Sequence, residues 1–287
     1  MSIMSRRPGL SLIELLIAVA IIGILIGLLL GAVQKVRLTA RRTALQNQIR
    51  QLSLAVLQIE GNQGAMPIAH DFANRGSALI PAVMTHFGCD NSRYQDRDSF
   101  KRLDFFVSAL DPSYDYYPDK PYSPIGSNDN GVVSFGFNHL VFGTRHNTID
   151  DGRSNTLMCS ERYARCGIRA NVVLWVGLTI CTDEFGQPVP LDSYSMRWAS
   201  FAEWAFGDVL PVYNAVDRKS HGSIPDVTFQ VAPRPDVCNP RLLQASTTSG
   251  LVVALMDGSV RTISPGIDPA VYWSSMTPDK GEVVNLD

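Results

Sequence analysis

From Leu10 to Val33 the chain reads LSLIELLIAVAIIGILIGLLLGAV, and no charged residue falls between Glu14 and Lys35. At a rise of about 1.5 Å per residue, a helix over this uncharged run is as long as a bilayer core is thick, roughly 30 Å. No proline interrupts it. A segment apolar on every side either crosses a membrane or lies inside a large core, and its length favours the membrane. Gly23, Gly27 and Gly31 recur every four residues, a ridge along which another helix could approach closely. The helix is expected to continue into water. Leu38, Leu45, Ile49, Leu52, Val56 and Ile59 form one apolar stripe, stepping by four and three from Leu45 onward. Arg37, Arg41, Arg42, Gln46, Gln48 and Arg50 supply most of the polar face. The stripe should pack on the following domain, with coiled-coil pairing to another chain as the rival. Gly61-Asn62-Gln63-Gly64 should end the helix, and Pro67 prevents its return.

Charge is unevenly spread. Residues 1–50 hold seven Lys/Arg against one Glu, so the remainder carries about −8 of the chain's net −2. The basic part flanks the apolar run, which a membrane boundary explains better than DNA or RNA does. No nucleic-acid partner is expected. The five cysteines (Cys89, Cys159, Cys166, Cys181 and Cys238) include no C-x-x-C pair, so the usual zinc spacings are absent. In an exported domain they could form disulfides with one thiol left over.

Residues 65–130 read as loop-rich, with Pro112, Pro118, Pro121 and Pro124 among Tyr114, Tyr116, Tyr117 and Tyr122, and short helices near 76–86 and 98–109. Strand signals follow. Gly131–Phe142, Asn171–Cys181 and Asp226–Ala232 are rich in Val, Phe and Ile or alternate apolar with polar residues. The aromatic stretch Ser195–Gly207 suits a strand or a short helix. Leu251–Met256 and Ser259–Ile263 flank Asp257-Gly258, which predicts a hairpin with these two residues at the centre of a tight turn.

The most informative unit is Arg6-Arg7-Pro8-Gly9-Leu10-Ser11-Leu12-Ile13-Glu14. Basic residues precede a glycine, an apolar helix begins at Leu10, and a carboxylate lies inside the membrane stretch, where it needs a function or a partner. This resembles the class III signal of type IV prepilins and type II secretion pseudopilins. The resemblance implies cutting by a prepilin peptidase between Gly9 and Leu10, methylation of the new N-terminus at Leu10, and an assembly role for Glu14, the fifth mature residue. Leu10 stands where phenylalanine is commoner. A twin-arginine signal fits less well, because of Glu14 and the long span; a cleaved secretory peptide lacks a good site after the run. Lys35, Arg37, Arg41 and Arg42 outnumber Arg6 and Arg7, so a bare positive-inside count would leave the large domain in the cytoplasm. The prepilin resemblance implies the opposite orientation and overrides that count.

The segment Gly9–Glu60, with Ala32-Val33-Gln34 and Ala40-Arg41-Arg42, further resembles prepilin-like proteins abundant in planctomycetes, which share an uncharacterised exported domain. Their Asp-Gly-x-Ser-Asn-Thr segment corresponds to Asp151-Gly152-Arg153-Ser154-Asn155-Thr156, followed by Leu157-Met158 and Glu161. Their C-terminal His-x₉-Asp-Gly-Ser-Val corresponds to Asp257-Gly258-Ser259-Val260, but Thr247 stands in place of the histidine. Any role of that histidine therefore does not carry over.

No catalytic arrangement stands out: there is no H-E-x-x-H, G-x-S-x-G or Walker loop. His139 and His146, with Asp150 and Asp151 beyond, read as hydrogen-bonded residues rather than a metal site. Asp257 reads as turn chemistry; its surroundings do not reproduce the calcium loop of some pseudopilins. Asp151, Ser154 and Asn155 should make side-chain-to-backbone turn bonds. Trp198, Phe201, Trp204 and Phe206 suit a core better than a sugar platform. The expected fold is α+β and pilin-like, a long N-terminal helix on an antiparallel sheet with long loops. The expected divisions are a leader (1–9), a transmembrane helix (10–34), its extramembrane continuation (35–61) and an exported domain (62–287). We expect no enzyme activity, cofactor or metal. The expected partners are the prepilin peptidase, the lipid bilayer, and itself or other pilin-like subunits. The chain should cross the inner membrane once, N-terminus cytoplasmic, as a structural or assembly subunit. The rival is a membrane-tethered surface-binding module, for polysaccharide among other ligands.

Overall fold

A computed structural model describes residues 12–64, 66–67, 83, 86–87, 104–116, 133–142, 149–166, 169–172, 196–198, 200–202, 213–214, 219–220 and 226–279. The arrangement is α+β. The chain forms two compact units, Met1–Ala44 and Leu45–Asp287. Helix α1 runs from Leu12 to Gln63. In the first unit its apolar side chains stand exposed from Leu12 through Leu38. The helix ends where Gly64 takes φ +68° and donates its N–H to the Glu60 carbonyl at 2.8 Å, a left-handed cap that glycine adopts without a Cβ penalty.

The second unit is built on a five-stranded sheet. Its strands are β1 (Phe135–Asn138), β2 (Leu157–Glu161), β6 (Ser200–Phe201), β11 (Leu251–Leu255) and β12 (Val260–Ile263), in the order β12-β11-β2-β1-β6. The first four are antiparallel to their neighbours, and the short edge strand β6 runs parallel to β1. Small ladders flank it: β3 (Arg165–Cys166), β4 (Arg169–Val172) and β5 (Met196–Trp198) form one, β7 (Tyr213–Asn214) and β8 (Lys219–Ser220) another, and β9 (Gln230–Val231) pairs with β10 (Gln244–Ala245).

Both faces of the central strands are covered, so β2 and β11 are buried at every position. On one face Val252, Ala254 and Met256 join Phe135, Phe137 and Met158 against Leu45, Ile49, Leu52, Ala55, Val56 and Ile59 of α1. The expected stripe thus packs on the sheet from Leu45 onward. On the other face Leu251, Val253 and Leu255 meet Tyr272, Trp273 and Met276. Tyr272 and Trp273 come from a short C-terminal helix, Pro269–Ser274, whose start is fixed by Asp268: its carboxylate accepts the Ala270 N–H at 2.7 Å. A strand covered on both sides reads as an apolar run rather than an alternation, and Leu251–Leu255 does so.

The expected strand Gly131–Phe142 is cut short. Phe135–Asn138 is extended and His139–Phe142 turns into one helical turn. Asn138 makes the break. Its side-chain oxygen accepts the Leu140 N–H at 3.0 Å, while its amide donates to the carbonyls of Leu157 (2.9 Å) and Met276 (2.8 Å). Of the helices expected near 76–86 and 98–109, the described residues show Val83 and His86 helical, with the Phe87 N–H donating to the Val83 carbonyl at 3.3 Å, and a 3-10 turn at Asp104–Phe106. Pro112, expected in loop, opens a short helix, Pro112–Tyr116. In Asp226–Ala232 only Gln230–Val231 is strand. Most of Asn171–Cys181 lies outside the described residues.

Candidate functional site

The Asp-Gly-Arg-Ser-Asn-Thr loop and the Asp-Gly turn lie 100 residues apart in sequence yet form one junction in the fold. The loop closes on itself first. Gly152 takes φ +87° and donates its N–H to the Ile149 carbonyl at 3.2 Å. The Asn155 amide donates to the Asp151 carbonyl at 2.8 Å, and the Thr156 hydroxyl to the Gly152 carbonyl at 3.1 Å. Asn155 therefore does what the sequence suggested, Thr156 adds a bond that was not anticipated, and Ser154 stands exposed. Asp151 is buried, and its backbone N–H reaches the Pro278 carbonyl at 3.3 Å.

The loop then receives the hairpin. The Met256 N–H donates to the Thr156 carbonyl at 2.9 Å and the Asp257 N–H to the Arg153 carbonyl at 3.1 Å. This corrects the expected two-residue turn. The Leu255 N–H donates to the Ser259 carbonyl at 2.9 Å across the hairpin, and the Gly258 N–H returns to the Leu255 carbonyl at 2.9 Å, so Met256, Asp257 and Gly258 form a three-residue loop. Because Met256 spends its N–H on the neighbouring loop, it cannot extend the ladder with β12. Gly258 at φ +84° absorbs the reversal, as in hairpins where a left-handed glycine follows an ordinary turn. The Asp257 carboxylate accepts the Ser259 N–H at 2.8 Å, a turn role as expected.

Helix α1 closes the junction from its outer end. Glu60 pairs with the Arg153 guanidinium through both carboxylate oxygens, one contact at 2.9 Å, and this bond raises the Arg153 pKa. A Cβ on Gly258 would sit 3.0 Å from Leu57 Cδ1 and 3.8 Å from Leu54 Cδ2. The two motifs and the last turn of α1 are thus one structural joint.

A second buried polar cluster lies at Asp111. Its carboxylate accepts the Ser113 N–H (2.9 Å) and hydroxyl (2.6 Å) on one oxygen, and the Ser134 hydroxyl (2.6 Å) and Ala164 N–H (2.7 Å) on the other. Burial pushes its pKa up, and these bonds oppose the rise. Glu161, at the end of β2, accepts the Val252 N–H at 2.8 Å and the Ser246 N–H at 2.9 Å. Both carboxylates bond backbone or serine donors from several segments, a fastening role.

Among the described residues no group of three His, Cys, Asp or Glu side chains could hold a metal. His139 is buried, Asp150 and Asp151 belong to the loop above, and His146 lies outside the described residues. Phe201 is a core residue; Trp204 and Phe206 are outside the described set. Cys166 and Cys238 form a disulfide across 72 residues of sequence, packed with Tyr163. Cys159 is a buried free thiol with its pKa pushed up to about 12 by burial. Thr247, in the place of the resemblance's histidine, is half-buried beside the Gly250 turn, its carbonyl accepting the Gly250 N–H at 3.4 Å.

At the N-terminal signal, Gly9 and Leu10 lie outside the described residues, and Glu14 sits exposed in the first turn of α1. The helix has a mean hydropathy of 3.0 over its most apolar 18 residues, none of them buried, which makes it long and apolar enough to cross a membrane. Residues 4–30 match the family model described as the prokaryotic N-terminal methylation motif. No curated protein and no solved structure matches the chain.

Proposed function

We propose that this chain is a prepilin-like, membrane-anchored protein that serves as a structural or assembly subunit of a type II secretion or pilus-type system. It crosses the cytoplasmic membrane once, with its N-terminus inside and the globular unit on the periplasmic or extracellular side. One observation carries the reading: the methylation motif matches residues 4–30, and from Leu12 onward that segment is an apolar helix whose side chains are exposed all round. Exposed leucine and isoleucine at this density are stable only in lipid or against other apolar helices. The Cys166–Cys238 disulfide supports export, because disulfides persist mainly outside the cytoplasm. The joint at Asp151–Thr156 and Asp257-Gly258 is structural, and the protein is not an enzyme.

In this reading the peptidase cuts after Gly9, and the new amine at Leu10 is methylated. Glu14 then lies near the start of the span. Placing an acidic side chain at a helix centre costs ~2.5–3.5 kcal/mol, and less near the interface. The amine of a neighbouring subunit is an available cation, and pairing with it turns the cost into a docking contact. Mass spectrometry of the protein from native membranes should find a mature chain beginning at Leu10, and Gly9→Val should leave it uncut. Glu14→Leu should insert normally and lose the crosslinked oligomers of the wild type. A mature chain beginning at Met1 would sink the signal. An unchanged oligomer ladder in Glu14→Leu would remove the assembly role and favour a tethered binding module.

A further inference from the structure

The corner around the Cys166–Cys238 disulfide has little core besides the disulfide itself. Among the described residues, Cys166, Cys238 and Tyr163 form an apolar cluster of their own, apart from the two that fill the faces of the sheet. We propose that residues 231–238 are a redox-governed strap. It lies seated against Tyr163 while the disulfide is intact, and it is released when the disulfide is reduced, with the sheet still folded. The strap buries little of its own: Val231, Ala232, Arg234 and Val237 are exposed, while Pro235 and Cys238 are buried. Neither cluster on the faces of the sheet takes a residue from it.

The bonds around the strap divide at Cys238. Beyond that residue the chain is bolted to the end of β2 and the residues that follow it. The Arg162 guanidinium donates to the Pro240 carbonyl, the Tyr163 N–H to Gln244 Oε1 at 3.4 Å, and the Ser246 N–H to the Glu161 carboxylate at 2.9 Å. Within the strap, Arg234 pairs with Asp236 at 2.7 Å and the Val237 N–H returns to the Arg234 carbonyl at 3.2 Å, so these bonds travel with it. The strap is joined to its surroundings by the disulfide, by the Tyr163 hydroxyl donating to the Pro233 carbonyl at 3.0 Å, and by the Ala232 N–H donating to the Ala245 carbonyl at 2.9 Å. The covalent tie dominates: it closes 72 residues of sequence, which restricts an open chain more than one hydrogen bond does. Ala232 sits at φ +42°, a left-handed conformation that alanine holds only where its surroundings impose it, so release relieves it. Opening needs a dithiol. One thiolate attacks a sulfur of the bond, the second thiol displaces the mixed disulfide, and two thiols remain on the chain while the reagent leaves as a cyclic disulfide. Closing passes two electrons and two protons to a disulfide-bearing thiol oxidase. Release bares Tyr163 and both thiols beside Val231 and Val237, so the two redox states present different apolar surfaces.

The test is hydrogen exchange, read by mass spectrometry, on the full detergent-solubilised chain with and without dithiothreitol. Reduction should speed exchange of the Ala232 and Val237 amides at least ~10-fold, and change the Val252, Leu255 and Met256 amides of the sheet by less than ~2-fold. C166S/C238S should match the reduced wild type whether or not the dithiol is present. C159A should keep both states, because Cys159 belongs to the helix–sheet cluster and takes no part in the exchange. Equal exchange of the strap in the oxidised and reduced wild type would overturn the proposal. So would a bond that dithiothreitol leaves closed in the folded chain, which would make it a fixed staple. If strap and sheet loosen together on reduction, or C166S/C238S fails to fold, the disulfide holds the whole unit and the strap is refuted.

Discussion

Among the described glycines Gly250 has the least room for a side chain, and Gly250→Ala is a sharp test of the sheet. The residue sits at φ +112°, where L side chains are rarely found, directly before β11. A Cβ there would lie deep inside van der Waals contact of the Ile263 carbonyl oxygen, and 3.1 Å from both the Ile263 carbonyl carbon and Thr262 Cγ2. The obstruction is mostly backbone, and it belongs to the β12 residue that pairs with Leu251, so no rotamer change relieves it. Holding alanine in this region of φ costs about 1–3 kcal/mol. Forcing a methyl group into a packed site costs another 1–3 kcal/mol or so. The expected loss is therefore about 3 kcal/mol, a large fraction of a typical domain's stability. Gly266→Ala is the control, because its Cβ would meet nothing within 4 Å; it should stay within about 0.5 kcal/mol of wild type. Urea unfolding of the detergent-solubilised chain, followed by tryptophan fluorescence, measures both. Equal midpoints for the two variants would refute the placement of Gly250 against Ile263.

Gly258→Val should destabilise by at least ~1 kcal/mol in the same assay, since a β-branched residue resists φ +84° and its Cβ would press on Leu57; a neutral result would argue against the three-residue loop. Asp111 gives a pH signature: its folded-state pKa lies above the ordinary 3.8, so its contribution is greatest below that value and falls as pH rises through the folded-state pKa. The stability advantage of wild type over Asp111→Asn should accordingly shrink as pH rises across that window, and an advantage that grows would contradict the burial of the carboxylate.

The legible parts of this chain are those whose signal is local. The apolar run and the stripe Leu45–Ile59 follow from helical period alone, and Asp257-Gly258 marks a reversal whatever its exact type. The turn type was not legible, because it depends on where Met256 sends its N–H, and that acceptor is Thr156, 100 residues earlier. Asn138 is similar: nothing in Phe135–Phe142 says that its amide will meet carbonyls of Leu157 and Met276. Asp111 was readable in part. Aspartate before proline is a helix-start signal, and the turn Pro112–Tyr116 follows it, but the bonds from Ser134 and Ala164 arise from tertiary packing. The Glu60–Arg153 pair joins two segments that the sequence marked for unrelated reasons.

That pair bears on what α1 does for the globular unit. The helix contributes Leu45, Ile49, Leu52, Ala55, Val56 and Ile59 to the same core as Val252, Ala254 and Met256, a core that Val83 and Phe106 also join. Its last turn adds Glu60 to the Asp-Gly-Arg-Ser-Asn-Thr loop and Leu57 to the hairpin glycine. Each of these contacts fixes rotation of the helix about its axis as well as its height, because residues at 45, 49, 52, 56 and 59 share one side and Leu57 and Glu60 meet the loops at its edge. A helix that merely tethered a domain would require neither. The Leu45–Gln63 portion is therefore part of the folded unit, while the exposed apolar stretch from Leu12 to Leu38 belongs to the other unit.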